Sequence, residues 1–217
     1  MQIDIVSDTV CPWCFIGKRR LERALAQRPD MSFEISWRAY QLDALVPREG
    51  VDRKTYMRAK FGDSPQVKGM SDALRQAGTQ EGINFAFDSI EKRPNTLDSH
   101  RLIRWASTAG VQDEVVDRLF RAYFEQGRDI GNPIVLAEIA SEADMDVELV
   151  EQLLASDADR ELIEREDTLA HEMGISGVPT FIFANKFMLQ GAQDSEAIVR
   201  VIDKVREKLE ELALEES

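Results

Sequence analysis

The pattern of apolar and polar residues changes its period along the chain, and the first forty residues already combine two periods. The apolar run at residues 3–7 is typical of a short buried strand. Apolar side chains then recur at helical spacing up to about Gln27, and residues 32–40 alternate like a second strand. Strand, helix and strand in this order predict a βαβ unit with parallel strands and a right-handed crossover.

Helical periodicity dominates the middle of the chain, from about residue 52 to residue 174. Apolar positions recur there every three or four residues, and turn signals separate successive runs. The turn signals are residues 62–65, residues 93–95, Gly110 and residues 131–133. Residues 82–87 form an exception, because their alternation predicts a brief extended piece. Residues 159–173 predict one long helix that ends at Gly174.

Strand patterns return in the last forty residues. Residues 180–183 and 187–190 flank a short connection and predict a β-hairpin, which a last amphipathic helix follows. Two strands on each side of the helical stretch can join one sheet. We therefore predict an α/β fold in which a domain of residues 1–51 and 156–217 is split by an all-helical insertion at residues 52–155.

Composition narrows the classes of function. The chain has 217 residues, of which 43% are hydrophobic, and no apolar run approaches the roughly 18 residues of a membrane span. Its formal net charge of −13 argues against binding to nucleic acid or to an anionic membrane. The first residues show neither a basic segment nor a long apolar segment of a secretory signal, so we expect a cytoplasmic protein.

The candidate chemistry lies in Cys11-Pro12-Trp13-Cys14, which holds both cysteines of the chain. The motif stands between the first strand and the first helix, where unpaired N–H groups and the helix dipole favour a thiolate on the first cysteine. Cys11 is therefore the candidate nucleophile and Cys14 the resolving thiol. Pro12 and Trp13 are expected to set the redox poise, and Trp13 is alternatively a surface aromatic residue beside a substrate groove.

Two other interpretations of the cysteines are a buried apolar pair and a zinc site. A C-x-x-C motif supplies two zinc ligands, but His100 and His171, the two histidines of the chain, lack the close spacing of a second ligand pair. We therefore predict no metal.

Several motifs in a fixed order resemble those of the DsbA family of thiol oxidoreductases, and are most similar to its FrnE-like branch. The residues that carry the resemblance are Ser7, Asp8, Cys11, Pro12, Trp13, Cys14, Gly17, Asn95, Thr96, His100, residues 120–124, residues 177–181 and residues 191–193. The resemblance spans nearly the whole chain. It implies a thioredoxin fold with a large all-helical insertion.

The resemblance also implies a redox-active disulfide between Cys11 and Cys14 and a cis bond before Pro179 that faces it. Val178 would then turn its N–H and C=O toward the cleft and pair with an extended substrate strand. The implied partners are protein or peptide thiols, with glutathione as an alternative co-substrate and no bound cofactor.

Two further groups are candidates for substrate binding. Thr96 and His100 lie four residues apart on one helical face and, with Asn95, could line the cleft above the cysteines; the alternative role of Asn95 is to cap that helix. A second group opens the last helix, where backbone amides can hold a carboxylate such as that of glutathione, or where the side chains act as caps. Its members are Gln193, Asp194 and Ser195.

One position departs from the family pattern. Many thioredoxin-like enzymes carry a buried acid six residues before the first cysteine, where this chain has Ile5. Proton transfer would therefore depend on water, Asp8 or Asp4.

Two rival functions remain open at the level of sequence. A glutathione-dependent isomerase or transferase, of the 2-hydroxychromene-2-carboxylate isomerase or kappa class, would use the same fold, but those enzymes typically have serine in place of Cys11. The other rival is a chaperone or redox sensor that binds extended peptides without turnover.

Overall fold

Six strands and nine α-helices make up the part of the chain that the computed structural model describes, residues 1–62 and 65–215. The strands are β1 (Gln2–Ser7), β2 (Glu34–Ala39), β3 (Val51–Asp52), β4 (Lys92–Arg93), β5 (Thr180–Phe183) and β6 (Phe187–Gln190). The helices are α1 (Pro12–Ala26), α2 (Arg53–Phe61), α3 (Pro65–Gln80), α4 (Leu97–Ala109), α5 (Gln112–Phe124), α6 (Pro133–Glu142), α7 (Val147–Ala155), α8 (Arg160–Glu172) and α9 (Ser195–Glu215).

The main sheet contains strands from both ends of the chain in the order β2-β1-β5-β6. β1 and β2 are parallel, with Ile5 opposite Trp37, and β5 pairs antiparallel to β1, with Phe181 opposite Ile5. The hairpin partner β6 completes the edge. The predicted βαβ unit, the predicted hairpin and their union in one sheet are thus confirmed.

Helices cover both faces of this sheet, as the alternation of side chains along β1 requires. On one face the buried cluster includes Ile3, Ile5, Phe15, Ile16 and Ile198. On the opposite face the buried cluster includes Val6, Tyr40, Ala170 and Ile175. The cysteine motif at the start of α1 therefore lies on the face of β1 that Ile3 and Ile5 share.

The core of the sheet continues into the helical segment between β2 and β5. The same buried cluster reaches Leu102, Phe120, Phe124, Leu136 and Ile139. Phe15 of α1 stacks on Phe120 of α5, with ring centroids 5.2 Å apart. The helical segment is therefore packed directly against the helix that carries the cysteines.

Residues 82–87, predicted as a brief extended piece, belong to neither sheet of the described chain. Ile83, Phe85 and Phe87 are buried, and Phe87 begins a short 3₁₀ helix. Their alternation reflects the packing of side chains against α5, with the Phe85 and Phe124 rings 5.4 Å apart, rather than pairing with another strand.

Other differences are small. The two-residue strands β3 and β4 pair antiparallel, and their apolar content is too small to give a strand pattern. The central residues of the predicted turn at 62–65, Asp63 and Ser64, lie outside the described residues. Across residues 1–62 and 65–215, none of the helices has the length and apolar content that crossing a bilayer requires.

Candidate active site

The cysteine motif occupies the turn between β1 and α1. Cys11 is the N-cap residue of α1 in an extended conformation, no side chain caps the helix, and Pro12 occupies its first turn. The Cys11 N–H donates to the Asp8 carbonyl oxygen at 3.0 Å, and the Cys14 N–H donates to the Cys11 carbonyl oxygen at 3.0 Å. The positive dipole end of α1 therefore lies at Cys11, as the sequence predicted, although the Cys11 and Cys14 N–H groups are already paired within the turn.

Both cysteines are free thiols in this structure, and their surroundings differ. Cys14 is 1% exposed, and burial, followed by the neighbouring Cys11, raises the pKa of its thiol well above the usual value. The Ser7 hydroxyl and the Asp8 N–H oppose this rise in pKa. Cys14 is therefore a protonated thiol at neutral pH, held one helical turn inside the motif.

Cys11 is also buried, at 5% exposure. Its Sγ donates to the Val178 carbonyl oxygen at 3.6 Å. Trp13, by contrast, is 40% exposed, and Pro12 is half-buried. The Val178 main chain thus lies against the Cys11 sulfur, and the Trp13 side chain is the exposed one of the motif.

The loop before β5 faces the cysteines through a cis Val178–Pro179 bond. Gly17 permits this approach, since a Cβ at that position would lie 2.8 Å from Pro179 Cγ. The loop is held by hydrogen bonds from the Gly191 N–H to the Pro179 carbonyl oxygen and from the Thr180 hydroxyl to the Gly177 carbonyl oxygen, each 2.8 Å long. Gly17 is among the residues that carry the family resemblance, but the sequence alone gave no physical reason for a glycine at this position.

Asn95 and Thr96 connect the start of α4 to the loop after β2. The Asn95 side chain accepts from the Leu97 N–H at 2.9 Å and donates to the Val46 carbonyl oxygen at 2.6 Å. Thr96 is buried, and its hydroxyl accepts from the Gln41 side chain at 3.3 Å. The Asn95 side chain therefore accepts from the first N–H of α4, a contact of the kind that its alternative role as a cap predicts.

His100 is also buried and points toward the loop that precedes the cysteines. Its Nε2 lies 3.1 Å from the Tyr40 carbonyl oxygen and 3.7 Å from Asp8 Oδ1. A carbonyl oxygen can only accept, so His100 Nε2 donates to Tyr40. His100 thus lies behind the motif, on the side of Asp8.

Asp8 is a fully buried acid. The sequence analysis considered it only as an alternative to water or Asp4 for proton transfer. Its carboxylate accepts from the Leu42 N–H at 2.8 Å, and Arg93 Nη2 lies 3.9 Å away. Burial alone would raise the pKa of Asp8, but His100 and Arg93 outweigh it and hold the pKa below the usual value.

Ile5 and Asp4 lie on opposite faces of β1. Ile5 is buried in the cluster that includes α1. Asp4 accepts from Arg38 Nε at 2.9 Å on the other face, away from the cysteines.

The predicted carboxylate site at the start of α9 carries its own ion pairs. Arg20 of α1 donates to the Ala192 carbonyl oxygen at 2.6 Å and pairs with Asp194 at 2.9 Å. Arg23 donates to the Ser195 hydroxyl at 3.1 Å, and Gln193 donates to the Gln190 carbonyl oxygen at 3.0 Å. These contacts fasten α9 to α1, and a carboxylate ligand would have to share them.

His171 lies apart from the cysteines. It packs on Tyr40, with ring centroids 4.5 Å apart, on the sheet face that α8 covers. Among the residues that the structure describes, no three His, Cys, Asp or Glu side chains are grouped so that they could hold a metal ion.

Known proteins with a similar structure include oxidoreductases and an isomerase. The probable DsbA oxidoreductase SCO1869 from Streptomyces coelicolor has a TM-score of 0.87 and 29% identity, over 94% of this chain and 89% of that one. A 2-hydroxychromene-2-carboxylate isomerase has a TM-score of 0.69 and 18% identity over the whole of both chains. The cytosolic disulfide reductase DsbM from Pseudomonas aeruginosa, solved with GSH, has a TM-score of 0.66 and 17% identity, over 98% and 99% of the two chains.

A comparison of the chain with known protein families agrees with this fold and with the resemblance of the motifs. The DSBA-like thioredoxin domain matches residues 2–203, which include the sheet, the helical segment and both sides of the cysteine site. The chain belongs to the family of DSBA-like thioredoxin domains.

Proposed function

We propose that the protein is a thiol:disulfide oxidoreductase that exchanges disulfides at Cys11 and Cys14. The observation that carries this proposal is the pairing of an N-cap thiol, Cys11, with a buried thiol one turn further along the helix. Thiol–disulfide exchange needs an attacking sulfur where a substrate can reach it and a second sulfur close by. The likeness to a probable DsbA oxidoreductase from Streptomyces coelicolor supports the proposal.

In the reducing direction, the Cys11 thiolate attacks a substrate disulfide, forms a mixed disulfide and releases the first substrate thiolate. Cys14 then loses its proton and attacks Cys11 Sγ, which releases the second substrate thiolate and leaves the Cys11–Cys14 disulfide. The oxidising direction reverses these steps. Burial raises the pKa of Cys14, so it must lose its proton before it attacks, and the Ser7 hydroxyl and the Asp8 N–H favour its thiolate.

The substrate in this proposal is an extended peptide or protein segment. Val178 would pair with it through the main chain, beside Pro179 and the exposed Trp13 ring. We further propose that residues 52–155 form an insertion that walls one side of the cleft, with Asn95, Thr96 and His100 supporting that wall. The start of α9 at Gln193, Asp194 and Ser195 would contact the substrate through its polar groups.

Glutathione is the proposed small-molecule partner, and the cytosol the proposed location. Both rest on the likeness to DsbM, a cytosolic disulfide reductase solved with GSH. The likeness to the isomerase makes glutathione-dependent isomerisation the second candidate. The thiol pair favours the first candidate, because isomerisation needs no resolving Cys14.

The test is reduction of insulin disulfides by the protein with glutathione as reductant, in the wild type, Cys11→Ser and Cys14→Ser. We expect Cys11→Ser to abolish turnover, and Cys14→Ser to accumulate a mixed disulfide on Cys11 with little turnover. Insulin reduction that is unaffected by Cys11→Ser would contradict the proposal. Turnover of a chromene carboxylate by both variants would favour the isomerase.

A further inference from the structure

A buried carboxylate, that of Asp8, contacts the cysteine turn. Asp8 is fully buried, and its main-chain carbonyl oxygen accepts from the Cys11 N–H at 3.0 Å. Its main-chain N–H forms a hydrogen bond with the Cys14 sulfur. Any shift of Asp8 therefore changes the placement of both cysteines.

The groups that hold the Asp8 carboxylate come from distant parts of the chain. The Leu42 N–H donates at 2.8 Å from the loop after β2, and the Val10 N–H donates at 3.5 Å from the turn itself. His100 of α4 lies at 3.7 Å, and Arg93 of β4 at 3.9 Å. These contacts are buried, and a buried charge of this kind is tolerated only when it is paired.

A second buried contact connects the same turn to the same helix. The hydroxyls of Thr9 and Ser99 are 2.8 Å apart and both side chains are buried. Asp8 and Thr9 are thus both fixed to the start of α4, on the side of the turn away from Val178.

We propose that Asp8 is a positioning residue, which His100 and Arg93 hold in place, and that it sets the equilibrium between the dithiol and disulfide forms of Cys11 and Cys14. The inference rests on the proposed function, because it concerns the same pair of thiols. Closing a disulfide requires a narrow range of separation and orientation of the two cysteines. The contacts of Asp8 hold the turn so that the two cysteines have this geometry before the disulfide forms. Loss of these contacts therefore favours the dithiol.

Asp4 supplies a matched control. It is also a buried acid, lies in β1 shortly before the turn and is paired with Arg38, but its side chain is on the face of β1 opposite the cysteine motif. Asp4→Asn therefore removes a buried charge and weakens an ion pair without touching the turn.

The experiment equilibrates each variant with glutathione and glutathione disulfide at pH 7 and quantifies both protein forms by alkylation and mass spectrometry. The reaction is protein dithiol plus glutathione disulfide giving protein disulfide plus two glutathione molecules. We expect Asp8→Asn and His100→Leu to shift its equilibrium constant about tenfold toward the dithiol, which corresponds to ~30 mV. Thr9→Val should shift it less in the same direction, and Asp4→Asn should leave it unchanged within error.

The outcomes separate the two proposals. If the wild type forms no Cys11–Cys14 disulfide in any glutathione buffer, the proposed function fails and this inference fails with it. If the wild type forms the disulfide but the turn variants shift no more than Asp4→Asn, or shift toward the disulfide, only the positioning role is overturned. Should Asp8→Asn not fold, His100→Leu and Thr9→Val decide by the same criterion.

Discussion

The two sulfur atoms of the motif have different surroundings although only two residues separate them. Cys11 is the N-cap residue of α1 and its sulfur contacts the Val178 carbonyl oxygen, whereas the Cys14 side chain is buried in the core beside Ser7. This asymmetry supports the proposed roles, attack for Cys11 and resolution for Cys14. It also means that the ionisation of Cys14 is linked to the free energy of folding.

The linkage predicts that the reduced protein becomes less stable as the pH rises. An unfolded cysteine ionises near pH 8.5, while folded Cys14 keeps its proton because its pKa is raised. The stabilisation is complete below that pH and is lost above it, by at most ~1.4 kcal/mol per pH unit for one group. Urea unfolding of the reduced protein between pH 7 and pH 10 measures this loss.

Cys14→Ser is the control for this prediction. It removes the thiol but keeps the buried Tyr123, whose pKa is raised to about 12 and which adds its own loss of stability at high pH. The slope of the unfolding free energy against pH should be smaller in Cys14→Ser than in the wild type. Equal slopes would show that Cys14 ionises normally in the folded protein.

Sequence analysis predicted the candidate reacting residues but not the contacts around them. Cys11 and Cys14 could be found because their spacing and their place before a helix are local properties. The partners of Asp8, from Leu42 to His100, are brought to it only by the tertiary fold. The same holds for Gly17, whose missing side chain matters only because Pro179 lies against it.

At the scale of elements, periodicity predicted the structure where side-chain burial follows backbone geometry. The strands of the main sheet and the helix bearing the cysteines lie close to their predicted bounds. At residues 82–87 the alternation of apolar residues has another cause. Phe85 and Phe87 stack on each other and pack on α5, without pairing with a strand. The pairing of β3 with β4 depends on contacts between distant segments that two-residue patterns cannot encode.

The packing of α1 on the loop before β5 gives a prediction at this scale. Gly17→Ala would place a methyl group 2.8 Å from Pro179 Cγ and 3.3 Å from the Phe181 ring. Overpacking of this kind typically costs about 1–3 kcal/mol, and here it also displaces Pro179 from the cysteines. We expect lower stability in urea and slower insulin reduction.

Gly69→Ala is the matched control, since Gly69 is also within a helix and nothing lies within 4 Å of the added methyl group. That change should stabilise the protein slightly or leave it unchanged, because alanine favours helix by up to ~1 kcal/mol over glycine. If both variants behaved alike, close packing of Pro179 on α1 would not matter for exchange.

At the scale of the whole molecule, the helical segment and the sheet share one buried cluster around the cysteine helix. Phe15 and Phe120 join the two parts, and the Asp8 contacts join them again behind the motif. The helical segment is therefore packed against both α1 and the cysteine turn, as its proposed role as a wall of the cleft requires. The net charge of −13 argues against binding to nucleic acid.

The most direct test of the central claim is the oxidation state of the intact protein in glutathione buffers of graded potential. Our account predicts a reversible loss of two hydrogen atoms from the peptide that holds Cys11 and Cys14, with a midpoint between about −120 and −300 mV, the range of known exchange proteins and of resistant disulfides. Thiols that stay reduced across this range, or that react only to form glutathione adducts, would contradict it.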